Sequence, residues 1–373
     1  MACLAITGAN STTPTIAMEA ILNIPPLFTH IEAEARSAAY RLYANGMWKG
    51  DNYSGGHTTI WKKMLSEDRI FELESDTMAP KYSFNKPFDV AIQTKTEWEL
   101  NPPLDQLTES CWYTDGSVTN GISGAGIYRE APLVKQSFYL GELVSVKQSE
   151  TFAILKCIEK SINEGAKQVL ICSDSQAALK ALRAHRVRSK LTWKCLEAIQ
   201  RLANNDCAIN LRWIPGHSNI PGNEMADHLA KEGTDQREED PPKMGTSPNI
   251  IKRVINKWMD RQILLNWSNT TGCRQSKALM KGPCRKLGEQ TIALSRPRLK
   301  LITEVLTGHC RTNYHLSKIG VKENPTCDIC GTEEETAEHY LCRCPFFQLT
   351  RSRCFGSTRV NSDKIKDMSV PKL

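Results

Sequence analysis

The sequence has no long apolar run. No stretch of its 373 residues approaches the ~20 consecutive apolar residues of a membrane-spanning helix. The first ten residues also lack the basic start and apolar core of a secretory signal. A composition with 40% hydrophobic and 24% charged residues is typical of a packed globular protein and excludes a disordered or collagen-like chain. These features predict an intracellular protein, nuclear or cytoplasmic, that is neither secreted nor inserted in a membrane.

Acidic residues are scarce in one part of the chain. Residues 241–320 contain 15 basic and 3 acidic side chains, so this segment accounts for the whole net charge of +7. Phosphate contacts accumulate along a nucleic-acid strand and release its counterions, which favours a nucleic acid over a small acidic metabolite as the partner. A solvated basic surface is the alternative interpretation.

Cysteine is abundant, with 14 residues, although a chain of this length does not need disulfides for its stability. Cys327, Cys330, His339 and Cys344 follow the spacing Cys-x2-Cys-x8-His-x4-Cys. Two thiolates two residues apart can face one ion, and three cysteines with one histidine are a ligand set of structural zinc. Cys342 competes with Cys344 for the fourth position. The spacing predicts a structural Zn²⁺ site in a reducing compartment.

Residues 110–236 alternate between strand and helix patterns. Three strands come first and β-α units follow, which predicts a mixed, five-stranded α/β sheet with flanking helices. The predicted strands are 111–115, 125–129, 136–140, 169–173 and 209–213. The predicted helices are 150–164, 175–184, 191–204 and 222–233. Upstream, residues 12–22 and 28–43 have helical spacing, whereas 81–104 looks extended and proline-rich.

Four acidic residues fall where these strands end or these helices begin or continue. Asp115 and Asp174 each follow an apolar strand, Glu150 opens the first helix, and Asp227 lies on the last helix, ten residues after His217. A carboxylate at the end of a central strand pays a desolvation penalty unless a cation neutralises it. Converging carboxylates suit Mg²⁺, and two such ions can drive an in-line displacement at a phosphodiester. The pattern therefore predicts a metal-dependent nuclease.

The same residues lie in motifs that resemble a type 1 ribonuclease H domain over about residues 108–235. The matching motifs are Tyr-Thr-Asp-Gly-Ser at 113–117, Glu150 heading an apolar helix, Ser-Asp-Ser-Gln at 173–176, and Trp-Ile-Pro-Gly-His-Ser at 213–218 followed by Asn223, Glu224 and Asp227. The resemblance implies an RNase H-like sheet and hydrolysis of the RNA strand of RNA–DNA hybrids. The implied ions are two Mg²⁺, with Mn²⁺ as the alternative.

The resemblance also implies a role for each site residue. Asp115 would bridge both metal ions, Glu150 and Asp174 would complete one site, and Asp227 the other. His217 would assist proton transfer or product release. The residues implied to contact nucleic acid are Gly116, Ser117, Gln148 and Gln176. Lys147-Gln148-Ser149 departs from the family, many members of which carry a substrate-contacting asparagine pair there.

The flanking sequences are similar to the end of LINE-type (non-LTR) retrotransposon polyproteins. The similarity rests on Thr-Gly-Ala-Asn-Ser-Thr-Thr-Pro-Thr at 7–15 and on Leu-Thr-Gly-His at 306–309 before the Cys-His cluster. No Tyr-x-Asp-Asp polymerase motif or endonuclease domain occurs, so we expect a carboxy-terminal fragment that does not polymerise DNA. The expected domains are 1–104, a mainly helical connection segment; 105–236, ribonuclease H; 237–300, a basic helical linker; and 301–373, a small helical zinc-binding region.

Two other interpretations stay open at this point. The nuclease core can be a scaffold that binds nucleic acid without turnover, or the whole chain can be an inactive remnant. The complete set of acidic residues favours the enzyme, because a decayed site would be expected to lose one of them. The expected partner is an RNA–DNA hybrid, with no membrane, and protein partners are not predicted.

Overall fold

A computed structural model describes residues 1–47, 56–102, 111–236 and 240–369 of the chain. They form two compact units. The larger unit contains residues 35–255, and the smaller one combines residues 1–34 with residues 256–373. No helix in the described part of the chain is both long enough and apolar enough to cross a membrane.

The elements are numbered in chain order. The helices are α1 (Ala2–Thr7), α2 (Thr15–Leu22), α3 (Leu27–Ala44), α4 (Gly56–Glu67), α5 (Lys95–Leu100), α6 (Val146–Asn163), α7 (Gln176–Arg183), α8 (Lys190–Ala203), α9 (Pro221–Asp235), α10 (Pro248–Asn269), α11 (Arg274–Leu279), α12 (Arg285–Ile292), α13 (Arg296–Thr307), α14 (Asn313–Lys318), α15 (Gln348–Phe355) and α16 (Ser362–Lys366). The strands are β1 (Thr77–Tyr82), β2 (Asp89–Ala91), β3 (Trp112–Thr119), β4 (Ile122–Arg129), β5 (Val134–Gly141), β6 (Gln168–Ser173), β7 (Arg186–Ser189) and β8 (Ala208–Trp213).

The larger unit is built on a six-stranded mixed sheet with the order β2-β8-β6-β3-β4-β5. Strands β3, β4 and β5 are antiparallel, whereas β3, β6, β8 and β2 run parallel. The predicted mixed α/β fold is confirmed. The sheet has one strand more than predicted, because the three residues of β2 extend it beside β8. A second, two-stranded sheet pairs β1 with β7.

Helix α6 packs on β3 and α8, and it buries the apolar residues that its helical spacing places on one side, including Ile154, Leu155 and Ile158. It begins four residues before the predicted start. Ser145 and Gln148 form a capping box there, in which each side chain meets the other residue's backbone amide. Such a box satisfies amide groups that a helix start otherwise leaves without partners.

Helix α9 approaches the sheet closely because β4 presents glycines to it. A Cβ built on Gly126 would lie 2.2 Å from the backbone oxygen of Ala226, and one on Gly124 would lie 2.3 Å from that of Ala230. The predicted strand over residues 125–129 contains Gly126 but not Gly124, whereas both glycines lie inside β4. Their function is close packing against α9, which carries Asp227.

We expect Gly126→Ala to destabilise the larger unit by about 3 kcal/mol, because backbone rather than a flexible side chain occupies the space of the new methyl group. The free energy of unfolding in urea measures the effect. Gly56→Ala is the matched control, since no atom in the part of the chain that the structure describes lies within 4 Å of its added Cβ. Equal stability of the two variants would contradict the close packing of β4 against α9.

The smaller unit joins the two ends of the chain. One apolar cluster combines Ile21 of α2 with Trp267, Leu279 and Leu306. The Thr291 hydroxyl donates a hydrogen bond to the Ile21 carbonyl at 3.0 Å. The sequence predicts one connection segment over residues 1–104, whereas residues 1–34 belong to this unit and residues 35–104 are grouped with the larger one.

Candidate active site and zinc-binding cluster

Three of the four predicted acidic residues meet at the centre of the large sheet. Asp115 lies within β3, Asp174 directly follows β6, and Glu150 lies in the second turn of α6. Parallel pairing of Thr114 with Ser173 brings the first two side by side. One carboxylate oxygen from each residue lies within 4.8 Å of those from the other two.

Burial is the largest cause that raises the pKa of each of the three carboxylates. Burial and the charges of Asp174 and Asp227 raise the pKa of Asp115 to about 7. Burial and the charges of Asp115 and Asp174 raise that of Glu150 well above its ordinary value. Burial raises the pKa of Asp174, although a hydrogen bond from Asn223 opposes the shift. A site of this kind is unfavourable for three anions alone.

The donor set fits a hard divalent cation. Glu150 Oε2 is buried and, in the part of the chain that the structure describes, has no hydrogen-bond partner. A buried carboxylate oxygen without a partner is costly. A cation held between Glu150, Asp115 and Asp174 would satisfy that oxygen and neutralise the repulsion.

Asp227 lies beside this cluster and within a second group. One atom of its carboxylate lies within 4.8 Å of donor atoms of His217 and Glu224. Asp227 also forms an ion pair with Lys231, one helical turn further on. Glu224 belongs to this second group, although the sequence motifs predict no role for it. The signal that could have found it is its i, i+3 spacing from Asp227, which places both residues on one face of the helix.

The loop between β8 and α9 packs against Asp174. A Cβ built on Gly216 would lie 2.7 Å from Asp174 Oδ2, so a side chain at this position would displace the Asp174 carboxylate. The Trp213 indole donates a hydrogen bond to the Asp174 carbonyl at 3.0 Å. His217, which follows Gly216 in this loop, has a φ of 52° and an exposed side chain. The predicted proton-transfer residue therefore lies at the solvent side of the carboxylates.

The residues predicted to contact nucleic acid differ in their surroundings. Gly116 is buried against the start of α6, where an added Cβ would lie 2.6 Å from the Glu150 amide nitrogen. Ser117 and Gln176 are half-buried, and Gln176 accepts a hydrogen bond from Lys180. Gln148 is 4% exposed, and its side chain is engaged by Ser145 and by the Gly245 carbonyl. The observed role of Gln148 is to cap α6.

The Cys-His cluster assembles in the smaller unit. Donor atoms of Cys327, Cys330, His339 and Cys344 all lie within 4.8 Å of one another. Cys342, the alternative fourth ligand, points instead into the apolar cluster of Trp267, where it is 1% exposed. The geometry therefore favours Cys344 over Cys342 as the fourth ligand.

Neighbouring groups orient the cluster. The Nδ1 atom of His339 lies 3.3 Å from the Glu333 carboxylate, which leaves Nε2 facing Cys330 Sγ at 3.3 Å. A carboxylate behind a ligating histidine fixes the ring in this way at metal sites. Hydrogen bonds, first that of Thr332, lower the pKa of Cys330 to about 6. This favours the thiolate that zinc requires.

Comparison with known families matches the two sites separately. A model described as RNase H matches residues 108–235. Residues 108–235 are a ribonuclease H domain. A model described as zinc-binding in reverse transcriptase matches residues 293–350, which include the Cys-His cluster. The first model describes an enzyme and the second a region of reverse transcriptases, so together they support a ribonuclease H domain in a fragment that is similar to a retroelement polyprotein.

Individual relatives match parts of the chain. The Pol polyproteins of Ovine maedi visna related virus (strain South Africa) and Caprine arthritis encephalitis virus (strain Cork) are each 27% identical, over 45% and 39% of this chain. These alignments span only 15% and 13% of the polyproteins. The Ribonuclease H of Polaromonas naphthalenivorans (strain CJ2) is 26% identical over 38% of this chain and 96% of its own length. A solved structure, RNase H1 from Halobacterium salinarum NRC-1, covers 33% of this chain and 96% of its own, with 20% identity and a TM-score of 0.27.

Proposed function

We propose that the ribonuclease H domain hydrolyses the RNA strand of RNA–DNA hybrids by a two-metal-ion mechanism. The observation that carries the proposal is the convergence of Asp115, Glu150 and Asp174 around a buried carboxylate oxygen that has no partner among the described residues. The inactive-scaffold alternative would not require these mutually repelling groups to be kept together.

Each residue of the site has a role in the proposed reaction. Asp115 would contact both ions, Glu150 and Asp174 would hold one, and Asp227 the other after releasing Lys231. When bound, two Mg²⁺ ions, or Mn²⁺ in their place, supply an activated water and stabilisation of the leaving oxygen. His217 would move a proton or assist product release from the exposed loop, a role suited to an imidazole. The hybrid would be distinguished from duplex DNA by its groove shape and its 2′-hydroxyls.

We expect the purified chain with Mg²⁺ to cut the RNA strand of a labelled hybrid, leaving 5′-phosphate ends, and to leave duplex DNA intact. Gel electrophoresis of the two labelled strands measures the cleavage. Asp174→Asn should be inactive, whereas Asp206→Asn, in an exposed turn after α8, should remain active. If the wild type bound the hybrid tightly without cutting it, the result would contradict the proposed enzymatic activity. It would support the alternative of a scaffold that binds nucleic acid without turnover.

The zinc-binding region is proposed to hold one structural Zn²⁺ through its closed set of four ligands. Its basic flank, residues 241–320, is the proposed contact with nucleic acid. Glu333 and its acidic neighbours make the zinc loop itself a poor phosphate site. Two predictions from the sequence stay predictions: that the chain derives from a LINE-type retrotransposon, and that the protein is intracellular.

A further inference from the structure

A cleft in the larger unit has a strongly basic lining. It encloses about 1020 Å³ beside the first turn of α6, between α3, β7 and the start of α10. The basic side chains on its walls, all exposed, are Arg41, Lys147, Arg186, Arg188 and Arg253. Arg41 and Arg253 lie outside residues 108–235, so the flanking segments complete a cleft that the ribonuclease H domain alone does not form.

The cleft has little negative charge to balance these cations. Of the described residues that line it, only Asp76 is acidic, and its buried carboxylate accepts a hydrogen bond from the Leu191 amide at 2.9 Å. Burial raises the pKa of Asp76, although that hydrogen bond and the charge of Lys147 oppose the shift. Among the described residues, none of the five cations has an acidic group within the 4.0 Å of an ion pair. The cleft therefore repels cations and attracts polyanions.

An exposed aromatic stack continues this surface. Tyr82 and Phe84 are 57% and 69% exposed, with ring centroids 6.0 Å apart and planes 11° apart. The His185 ring stacks on Phe84 at 5.7 Å. Tyr82 pairs with Arg186 across the β1–β7 ladder, so both side chains lie on the same face of that small sheet. The aromatic stack thus adjoins the arginine-lined wall of the cleft.

We propose that the β1–β7 sheet and the basic cleft beside it bind single-stranded nucleic acid. The cations would follow the phosphates, and the aromatic stack would receive the base faces. A duplex hides those faces between its own base pairs, so aromatic stacking favours an unpaired strand over the hybrid itself. A hybrid held at the carboxylates would reach this surface through a single-stranded extension, since Lys147 and Glu150 share α6. The capture of an extension from a hybrid held at the carboxylates rests on the proposed function, whereas the binding of a single strand at the β1–β7 sheet does not.

The test compares two hybrids in fluorescence anisotropy with the Asp174→Asn chain, which leaves the strands uncut. One hybrid has blunt ends, and the other carries an unpaired extension of about 12 nucleotides, a length that single-strand grooves cover. DNA and RNA extensions are separate arms. We expect Tyr82→Ala with Phe84→Ala to weaken binding of the extended hybrid about tenfold and to leave the blunt hybrid unchanged. Phe346→Ala is the matched control, because Phe346 is 68% exposed in the other unit.

A second pair of variants tests the phosphate contacts. Arg186→Gln with Arg188→Gln should lower the salt dependence of binding to the extended hybrid by about 0.7 per arginine in log–log slope. The control Arg201→Gln, at an exposed position of α8, should leave the salt dependence of this binding unchanged. Equal losses on the blunt and extended hybrids, or no loss on either, would overturn the proposal. Failure of the wild type to cut the hybrid would overturn the proposed function and leave this comparison intact.

Discussion

Asp115→Asn is expected to remove activity and to stabilise the metal-free protein at the same time. Activity should fall at least about a thousandfold, equivalent to about 4 kcal/mol of transition-state stabilisation, because Asp115 is the carboxylate proposed to contact both ions. The amide has the same shape but no charge, so its neighbours Glu150 and Asp174 lose one repelling partner. A residue that served the fold alone would lower stability when replaced.

The pH dependence of stability gives the sign of this effect. The pKa of Asp115 is raised to about 7 in the folded protein, so between about pH 4 and 7 the folded state binds more protons than the unfolded one. Stability therefore falls as pH rises through this window and stays reduced above it. A shift of this size corresponds to about 2–4 kcal/mol, which the asparagine variant should recover at pH 8.

Thermal unfolding of the zinc-loaded chain without added Mg²⁺ measures the change. The transition of the larger unit should move upward in Asp115→Asn relative to the wild type at pH 8, and the difference should shrink toward pH 4. Added Mg²⁺ should stabilise the wild type more than the variant, because a bound ligand stabilises the state that binds it. Asp206→Asn controls for the loss of an exposed charge. A lower transition temperature for Asp115→Asn would contradict carboxylate repulsion in the metal-free site.

The carboxylate cluster could be predicted because local sequence determines each part of it. Asp174 follows a buried strand and Asp115 lies within one, not at its predicted end, and the parallel pairing of Thr114 with Ser173 brings the two side by side. The start of α6 could also be predicted from the sequence, because Ser145 and Gln148 have the spacing of a capping box. The helix predicted from apolar spacing alone begins only at residue 150. The capping-box signal predicts Gln148 in the cap of α6, where its side chain accepts from the Ser145 amide.

Other features depend on contacts that no local pattern encodes. Strand β2 has three residues, too few for an alternating pattern, and it exists because β8 offers an open edge. The pairing of residues 1–34 with the zinc-binding half rests on an apolar cluster and on hydrogen bonds between residues far apart in sequence, such as that of the Asn10 side chain with the His309 carbonyl, 299 residues away. The position of the aromatic stack depends in the same way on the pairing of β1 with β7. In the sequence, the central strands of the large sheet lie between these two strands.

Loss of zinc is expected to disrupt the smaller unit, and the buried cysteines allow the ligands to be distinguished. Cys327→Ser should lower bound zinc from one equivalent per chain to nearly none and lower the unfolding temperature of this unit by more than about 10 °C. The expected effect is large because four side chains of this unit, two of them the buried Cys327 and Cys344, would lose the ion that they are proposed to share. The buried Arg351 guanidinium should lose one of its hydrogen bonds as well, the one that it donates to the Cys344 carbonyl.

Cys342→Ser separates metal binding from simple burial. Cys342 is as buried as Cys327, at 1% exposure, but it packs against apolar residues, so its serine variant should lose some stability and keep the zinc. Cys354→Ser, at an exposed position, should change neither property. Zinc content by mass spectrometry, together with calorimetry of each variant, measures both effects. Retention of zinc by Cys327→Ser, or its loss from Cys342→Ser alone, would contradict a site formed by Cys327, Cys330, His339 and Cys344.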